Sequence, residues 1–361
     1  MKKAILRISL LFILSLAACG AGVAQDFVWN ADFDFRFDNR EYGDPSKMIA
    51  PSGTLFGANL RPEAGIGWGY GHKLMLGLTI PADMGSENFM GDPELLVYYA
   101  WEGKTFRSSL GLFPRKRVMG RYSYAFFSDS FLFYKPTIEG MLIQYVKPDW
   151  FVELGCDWNG LRSKTRREMF TIFFAGEARK GFSYAGYTAT LHHHASSDTA
   201  YGVVDNGLAD FYIGLDFSSL WRDVELRFQG AWVQAYQNDR QHIGTPVLPG
   251  GFELELAMRK RDIGMRNTFY KGDDLMPYWN LPYEDAAGNA YADNLYFGDP
   301  FYRVGESGFY NRLELYWEPK LKDGLTLRIS SVHHYDGAHW GWQQVVALRV
   351  NIGSDMFGII N

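Results

Sequence analysis

Hydrophobic and polar positions alternate along most of this chain. From Phe27 to Phe37 every odd position is apolar, and Asn30, Asp32, Asp34, Arg36 and Asp38 occupy the even ones. A period of two over so long a stretch predicts a strand with two unlike faces. Thr54–Tyr70, Glu94–Glu102, Lys104–Phe113, Val224–Tyr236 and Leu325–His334 repeat the pattern. Counted by alternation and turn signals, the chain holds about 16 strands, and no window shows a helical period.

The connections follow a second alternation. Residues 69–72, 102–104, 147–149, 180–181, 218–223, 260–262 and 319–324 are short. Residues 39–53, 82–93, 114–136, 159–167, 195–207, 237–251 and 271–308 are mostly longer. Ten residue steps from Phe27 to Phe37 give about 33 Å of strand, which at a tilt of about 40° rises about 25 Å, the height of a membrane barrel's apolar band. In lipid, only helices or closed barrels satisfy every backbone N–H and C=O. The expected fold is therefore all-β, a transmembrane antiparallel up-and-down barrel. Trp29, Trp68, Trp101, Trp150 and Trp317 fall at strand ends next to the N-terminus or a short turn, with Trp158 and Trp232 near long connections. That is the placement of aromatic girdles.

Composition agrees with strands and turns: aromatics are 17% of 361 residues, and Gly numbers 39. Residues 1–24 read as an export signal, with Lys2, Lys3 and Arg7 ahead of an apolar run from Ile8 to Ala18. That run is too short to span a bilayer. A cut after Ala24 leaves 25–361 as one barrel, with long outer loops at 114–136 and 271–308. "LAAC", Leu16–Cys19, offers a second cut that would leave Cys19 for lipidation. Loss of the three basic residues takes the formal charge from −5 to −8, which disfavours nucleic acid as a partner. Cys156 is then the one cysteine left, so no internal disulfide is expected.

With the apolar parity turned to lipid, the charged parity faces the lumen. It supplies Asp32, Asp34, Arg36, Arg61, Glu63, Arg107, Glu153, Asp157, Arg227, Glu255, Arg312 and Glu314 as candidate wall residues. The third long connection, Phe113–Pro136, carries Arg115, Lys116, Arg117, Arg121 and Asp129. In this topology the chain resembles the 16-stranded general porins, whose third outer loop folds inward and narrows the channel. The resemblance is architectural; the acidic Pro-Glu-Phe-Gly-Gly signature of the enterobacterial loop is absent. The segments "FFSDSFLFYKPTIEG" and "NTFYKGDDLMPYW" are similar to those of outer-membrane proteins of the Bacteroidota, which implies an outer-membrane location.

These features predict a porin-like channel for passive diffusion of small hydrophilic solutes. It would be narrowed at residues 115–129, would work without cofactor or metal, and would not be an enzyme. Outer-membrane lipid and lipopolysaccharide are its expected surroundings, and homo-oligomers are compatible with it. The alternative is a barrel plugged by its long loops that binds ligands, including glycans, at the surface. The aromatic and acidic loop 271–308 motivates that alternative. A third reading is a barrel hydrolase. Residues 192–198, "HHHASSD", and 333–339, "HHYDGAH", hold the histidines, and Ser196 or Ser197 is a candidate hydroxyl. A hydrolase requires a Ser and a His in contact at the barrel wall.

Overall fold

The computed structural model describes residues 25–42, 49–221, 223–281 and 294–354. The expected export signal and Cys19 lie outside them. Sixteen strands form one closed antiparallel barrel in which each strand pairs with its sequence neighbours. They are β1 (Gln25–Tyr42), β2 (Gly53–Trp68), β3 (His72–Asp83), β4 (Glu94–Glu102), β5 (Phe106–Pro114), β6 (Thr137–Lys147), β7 (Trp150–Gly160) and β8 (Met169–Lys180). The second half comprises β9 (Ser183–His194), β10 (Val204–Asp216), β11 (Val224–Asp239), β12 (Gly250–Lys260), β13 (Ile263–Gly272), β14 (Phe309–Trp317), β15 (Leu325–Tyr335) and β16 (Trp340–Gly353). The barrel closes where β1 pairs β16, from Asn30 opposite Gly353 to Tyr42 opposite Gly341.

Parity sets the two surfaces. On β1, Asp32, Arg36 and Asp38 are buried inside, whereas Phe27 is 66% exposed on the outside. Phe35 and Phe37 meet Phe56 edge to face across the outer surface, at 5.7 and 5.5 Å between centroids. Trp150, Trp158, Trp232 and Trp317 are exposed on that outer surface. No described helix is long and apolar enough to cross a membrane; the strands cross it.

The lumen is occupied. Its main apolar cluster joins Ala125, Phe126 and Phe127 of the third long loop to Leu275, Met276, Phe301 and Tyr302 of the loop between β13 and β14. A short helix, α1 (Asp129–Tyr134), lies in the third loop where the sequence predicts none. The two loops are knitted by backbone bonds, Ser128 N–H to Phe297 C=O and Asp299 N–H to Tyr124 C=O, both 2.7 Å. Rings stack through them: Phe127 on Phe131 at 5.2 Å and Phe131 on Phe297 at 4.6 Å. These aromatics are too many to leave in water, and the interior is where two loops can bury them together. Beside the plug lies a cavity of about 660 Å³, and on the short-turn side one of about 500 Å³.

Candidate functional site

The residues expected to line a pore serve mainly to fasten the plug and to pair across the wall. Arg115 bonds Asp157 at 2.6 Å, Lys116 bonds Asp32, and Arg117 reaches Glu102 at 2.8 Å. Arg121 lies 3.5 Å from Glu177. Asp129 sits between Arg36 at 2.9 Å and Arg312 at 3.7 Å. Burial opposes its carboxylate, but the Coulombic pull of Arg36 and Arg312 outweighs that and holds its pKa below the ordinary range. Glu153 accepts the Met119 and Gly120 backbone N–H groups at 2.8 and 2.7 Å. Arg61 pairs with Asp34, Arg227 with Glu255 at 3.6 Å, and Arg312 with Glu314 at 3.2 Å. Glu63 accepts the Tyr98 hydroxyl at 2.8 Å. Arg107 is exposed at the short-turn end of β5.

The histidines divide by parity. His192, His194 and His334 point inward and are buried. His192 meets the Thr171 hydroxyl at 3.0 Å and donates to the Asn294 carbonyl at 2.9 Å. This pair has a cavity of only about 30 Å³ beside it, too small for a substrate, so it pins the loop. His193 faces outward and meets Asp205 at 3.2 Å, a base with a carboxylate but no hydroxyl partner among the described contacts. Ser197, a candidate from sequence, caps the backbone N–H groups of Thr199 and Ala200 instead of meeting a histidine. Among the described residues, no three His, Cys, Asp or Glu side chains are grouped to hold a metal ion.

The required contact occurs on β15. Ser331 and His333, two residues apart and therefore on one face of the strand, both face outward. Ser331 Oγ lies 3.1 Å from His333 Nε2. On β16, directly opposite His333, stands Trp342. Its indole N–H donates to Ser331 Oγ at 2.8 Å. A donor entering one side of the oxygen leaves the hydroxyl proton to point at the imidazole, the geometry of a nucleophile with its base.

The next outward-facing residue on β16, one step further from the rim, is Gln344, directly opposite Ser331. Its Oε1 accepts from Asn39 Nδ2 at 2.9 Å. Its Nε2 is buried and without a hydrogen-bond partner. Asn39, on β1, also donates to Glu41 at 2.9 Å and accepts from the Thr54 hydroxyl of β2 at 2.9 Å. On the other flank, Asn311 of β14 donates to Asn267 of β13 at 3.0 Å. A row of polar groups thus crosses six adjacent strands on the lipid side of the wall.

Three features place this row where a membrane lipid can reach it. Ser331 is four residues from the outer end of β15, about 10 Å of height below that end. The outer connection above it, residues 336–339, is shorter than the other outer connections, so the rim is low there. Finally, an unpartnered amide N–H in such a wall is costly, and this one stands on the residue opposite Ser331.

Sequence reading missed Ser331, Trp342, Gln344 and Asn39 as a group, and named His333 and His334 only among the histidines of the hydrolase reading, whose candidate hydroxyls were Ser196 and Ser197. The available signal was a break of parity. Asn39 and Glu41 continue the Phe27–Phe37 parity, and Ser331 and His333 continue that of Leu327 and Ile329.

Comparison with known proteins was made on sequence and on fold. A family model described as "Lipid A 3'-O-deacylase-type" matches residues 30–351. No curated protein sequence matches. Among solved structures, Pseudomonas aeruginosa OccK9 (OpdG) superposes with a TM-score of 0.52 at 10% identity, covering 91% of this chain and 98% of that one. The high-pH structure of Pseudomonas putida OprB gives 0.52 at 10% identity, covering 91% and 94%. A loop L8 deletion mutant of Vibrio cholerae OmpT gives 0.51 at 11% identity, covering 92% and 100%. At such identities these likenesses carry the fold alone: the protein is an outer-membrane β-barrel. The family match corrects two expectations from sequence, that the barrel is a passive channel and that it is not an enzyme. The physical counterpart is a lumen packed with aromatic loops and a hydroxyl–imidazole pair on the wall outside. By its sequence over nearly the whole barrel, the chain belongs to the lipid A 3'-O-deacylase-type family.

Proposed function

We propose that this protein is an outer-membrane esterase that removes an ester-linked acyl chain from a lipid A-type saccharolipid, working on the lipid-facing wall. The observation that carries the reading is the Ser331–His333 contact on the outward face, with Trp342 donating to the same oxygen. Ser331 Oγ attacks the ester carbonyl while His333 Nε2 takes its proton. The carbonyl oxygen gains negative charge and is met by the spare N–H of Gln344. Collapse of the tetrahedral intermediate breaks the bond to the sugar oxygen, which leaves with the proton from His333. Water, deprotonated by His333, then releases the fatty acid and restores Ser331. Substrate needs no entry into the lumen, because its acyl chains already lie against the wall. The amides of Asn39, Asn311 and Asn267 suit the polar part of such a lipid, which sits at the boundary between acyl chains and sugars.

The test is deacylation of purified lipid A by the folded barrel in mixed micelles, read by mass spectrometry of the lipid. Ser331→Ala should lower kcat/KM by a factor of about 10³ or more, and His333→Ala by about 10²–10⁴. Full activity in a folded Ser331→Ala protein would end the assignment. His193→Ala is the control, and its activity should stay near wild type.

A further inference from the structure

Positive charge exceeds negative charge in the lumen between the plug and the short turns. Arg227 of β11 and Arg266 of β13 flank Ala257 of β12, which stands directly opposite both. All three point inward by parity. Two strand spacings, about 10 Å at the backbone, separate the arginines, with only a methyl group between them. Each arginine lies three residues from the short-turn end of its strand, the periplasmic end of an outer-membrane barrel. Arg121 of the third loop joins them from the plug side. Burial first, and then the nearby charge of Arg227, hold the Arg121 pKa below its ordinary value.

None of these three guanidiniums makes a hydrogen bond among the described residues. Arg121 stands 3.5 Å from Glu177, while Arg227 at 3.6 Å and Arg266 at 3.8 Å share the two oxygens of Glu255. The Arg227 Nε–H is buried without a hydrogen-bond partner. The other carboxylates nearby are committed elsewhere. Glu177 takes Arg179 at 2.6 Å and the Tyr212 hydroxyl at 3.1 Å. Asp216, opposite Arg227, takes Arg179 at 3.4 Å and the Ser218 N–H at 3.1 Å. Glu314, opposite Arg266, is held by Arg312 at 3.2 Å and Arg328 at 2.9 Å. Arg121, Arg179, Arg227, Arg266, Arg312 and Arg328 thus face Glu177, Asp216, Glu255 and Glu314, a surplus of two positive charges. The three unbonded arginines stay partly exposed, so solutes from the short-turn side reach them.

Guanidinium forks without acceptors, and two charges in excess, fit a doubly charged oxyanion. We propose that Arg121, Arg227 and Arg266 form a periplasm-facing binding site for a phosphoryl dianion, either inorganic phosphate or the phosphate of a small soluble monoester. The anion lies over the Ala257 methyl, on the short-turn side of Glu255, and its oxygens take the unused N–H groups. The plug closes the lumen toward the outer side, where Tyr124 lies under the Arg312 guanidinium at 4.1 Å, so the site binds and does not conduct. The inference does not depend on the esterase reading.

The experiment uses the full barrel in a phosphorus-free maltoside detergent at fixed ionic strength. Inorganic phosphate, glycerol phosphate and acetate are the probes. Binding of the first two is read by phosphorus NMR, and that of acetate by its displacement of them. At least one phosphoryl probe should bind about tenfold more tightly than acetate, and the tighter of the two identifies the source. Arg227→Gln with Arg266→Gln should abolish this preference. Arg349→Gln, on β16 and outside the cluster, should leave it in place. Heat-modifiable gel mobility shows that each variant is folded. Acetate bound as tightly as both phosphoryl probes by the unmodified protein overturns the proposal, and that comparison involves no substitution. A preference that survives in the folded double variant overturns it as well, as does one that Arg349→Gln removes equally.

Discussion

Gln344→Met should move activity and stability in opposite directions. In the wild type, Gln344 Oε1 accepts from Asn39, and Nε2 is buried with no partner. Methionine keeps the length of the side chain and removes both polar atoms. Loss of a donor aimed at a developing oxyanion costs about 10²–10³ in kcat, with KM little changed, because the bond forms only in the transition state. Stability follows a different sum. Removing a buried, unpaired amide relieves a desolvation cost of about 1–3 kcal/mol, while the lost bond from Asn39 costs about 1 kcal/mol. Asn39 is not stranded, since the same Nδ2 still donates to Glu41 at 2.9 Å. The net change is therefore near zero or stabilising by about 1 kcal/mol. Deacylation kinetics on lipid A and heat-modifiable gel mobility measure the two quantities on one preparation. A variant that keeps kcat within threefold of wild type refutes the oxyanion role. A variant that loses both activity and stability would make Gln344 a structural residue of the wall.

Other changes probe the neighbouring contacts. Trp342→Phe keeps the ring and removes its N–H to Ser331; kcat should fall about tenfold, the worth of one hydrogen bond of about 1.5 kcal/mol, with binding unchanged in a titration of inactive enzyme. Asp129→Asn leaves Arg36 and Arg312 facing a neutral group inside the barrel; the third loop should become cleavable by added protease, at a cost of about 3 kcal/mol for breaking a buried pair. Because the Asp129 pKa is lowered in the folded protein, its contribution is present above about pH 4 and fades as pH falls below it. Protease protection of the wild-type loop should fade over that range, and the dependence should be weaker in the Asp129→Asn loop, where only pairs such as Arg115–Asp157 remain.

The barrel was legible because its physics has period two. Phe27–Phe37 turned to lipid and Asp32, Arg36 and Asp38 turned inward, as the alternation implies, and the strand number follows from counting such stretches. The function was misread for a physical reason as well. Alternation says which residues face the lumen, not whether the lumen is filled. Filling depends on Phe127, Phe131 and Phe297, far apart in sequence, finding one another inside. The charges that resembled pore electrostatics, such as Arg115 and Lys116, are spent on Asp157 and Asp32. The site was written as polar residues on the wrong parity of strands at opposite ends of the chain. Asn39 and Gln344 become neighbours only through closure of β1 on β16.

That closure also ties the outward-facing row to the packed interior. The outer row of Asn39, Gln344, Trp342 and His333 alternates with an inner row of Asp38, Gln343 and His334. The inner row is bonded throughout. Gln343 donates to Asp38 at 2.6 Å, His334 donates to Gln343 at 2.8 Å, and Tyr310 donates to His334 at 2.9 Å. Phe301 of the plug lies flat on His334 at 4.4 Å and on Tyr310 at 5.1 Å. Each inner residue is the chain neighbour of an outer one, so the plug fixes the pleat that presents the site. Phe301→Ala should test this coupling. The ring is fully buried, and its loss costs about 3–5 kcal/mol of plug packing, while the sixteen-stranded wall keeps its backbone bonds. A site held only by the wall would keep its kcat in that variant. A site held through His334 and Gln343 should lose about tenfold in kcat, the usual consequence of a small misplacement of reacting groups, with lipid binding by the Ser331→Ala protein unaltered. Full activity alongside a plug made protease-sensitive would show that the interior has no part in presenting Ser331.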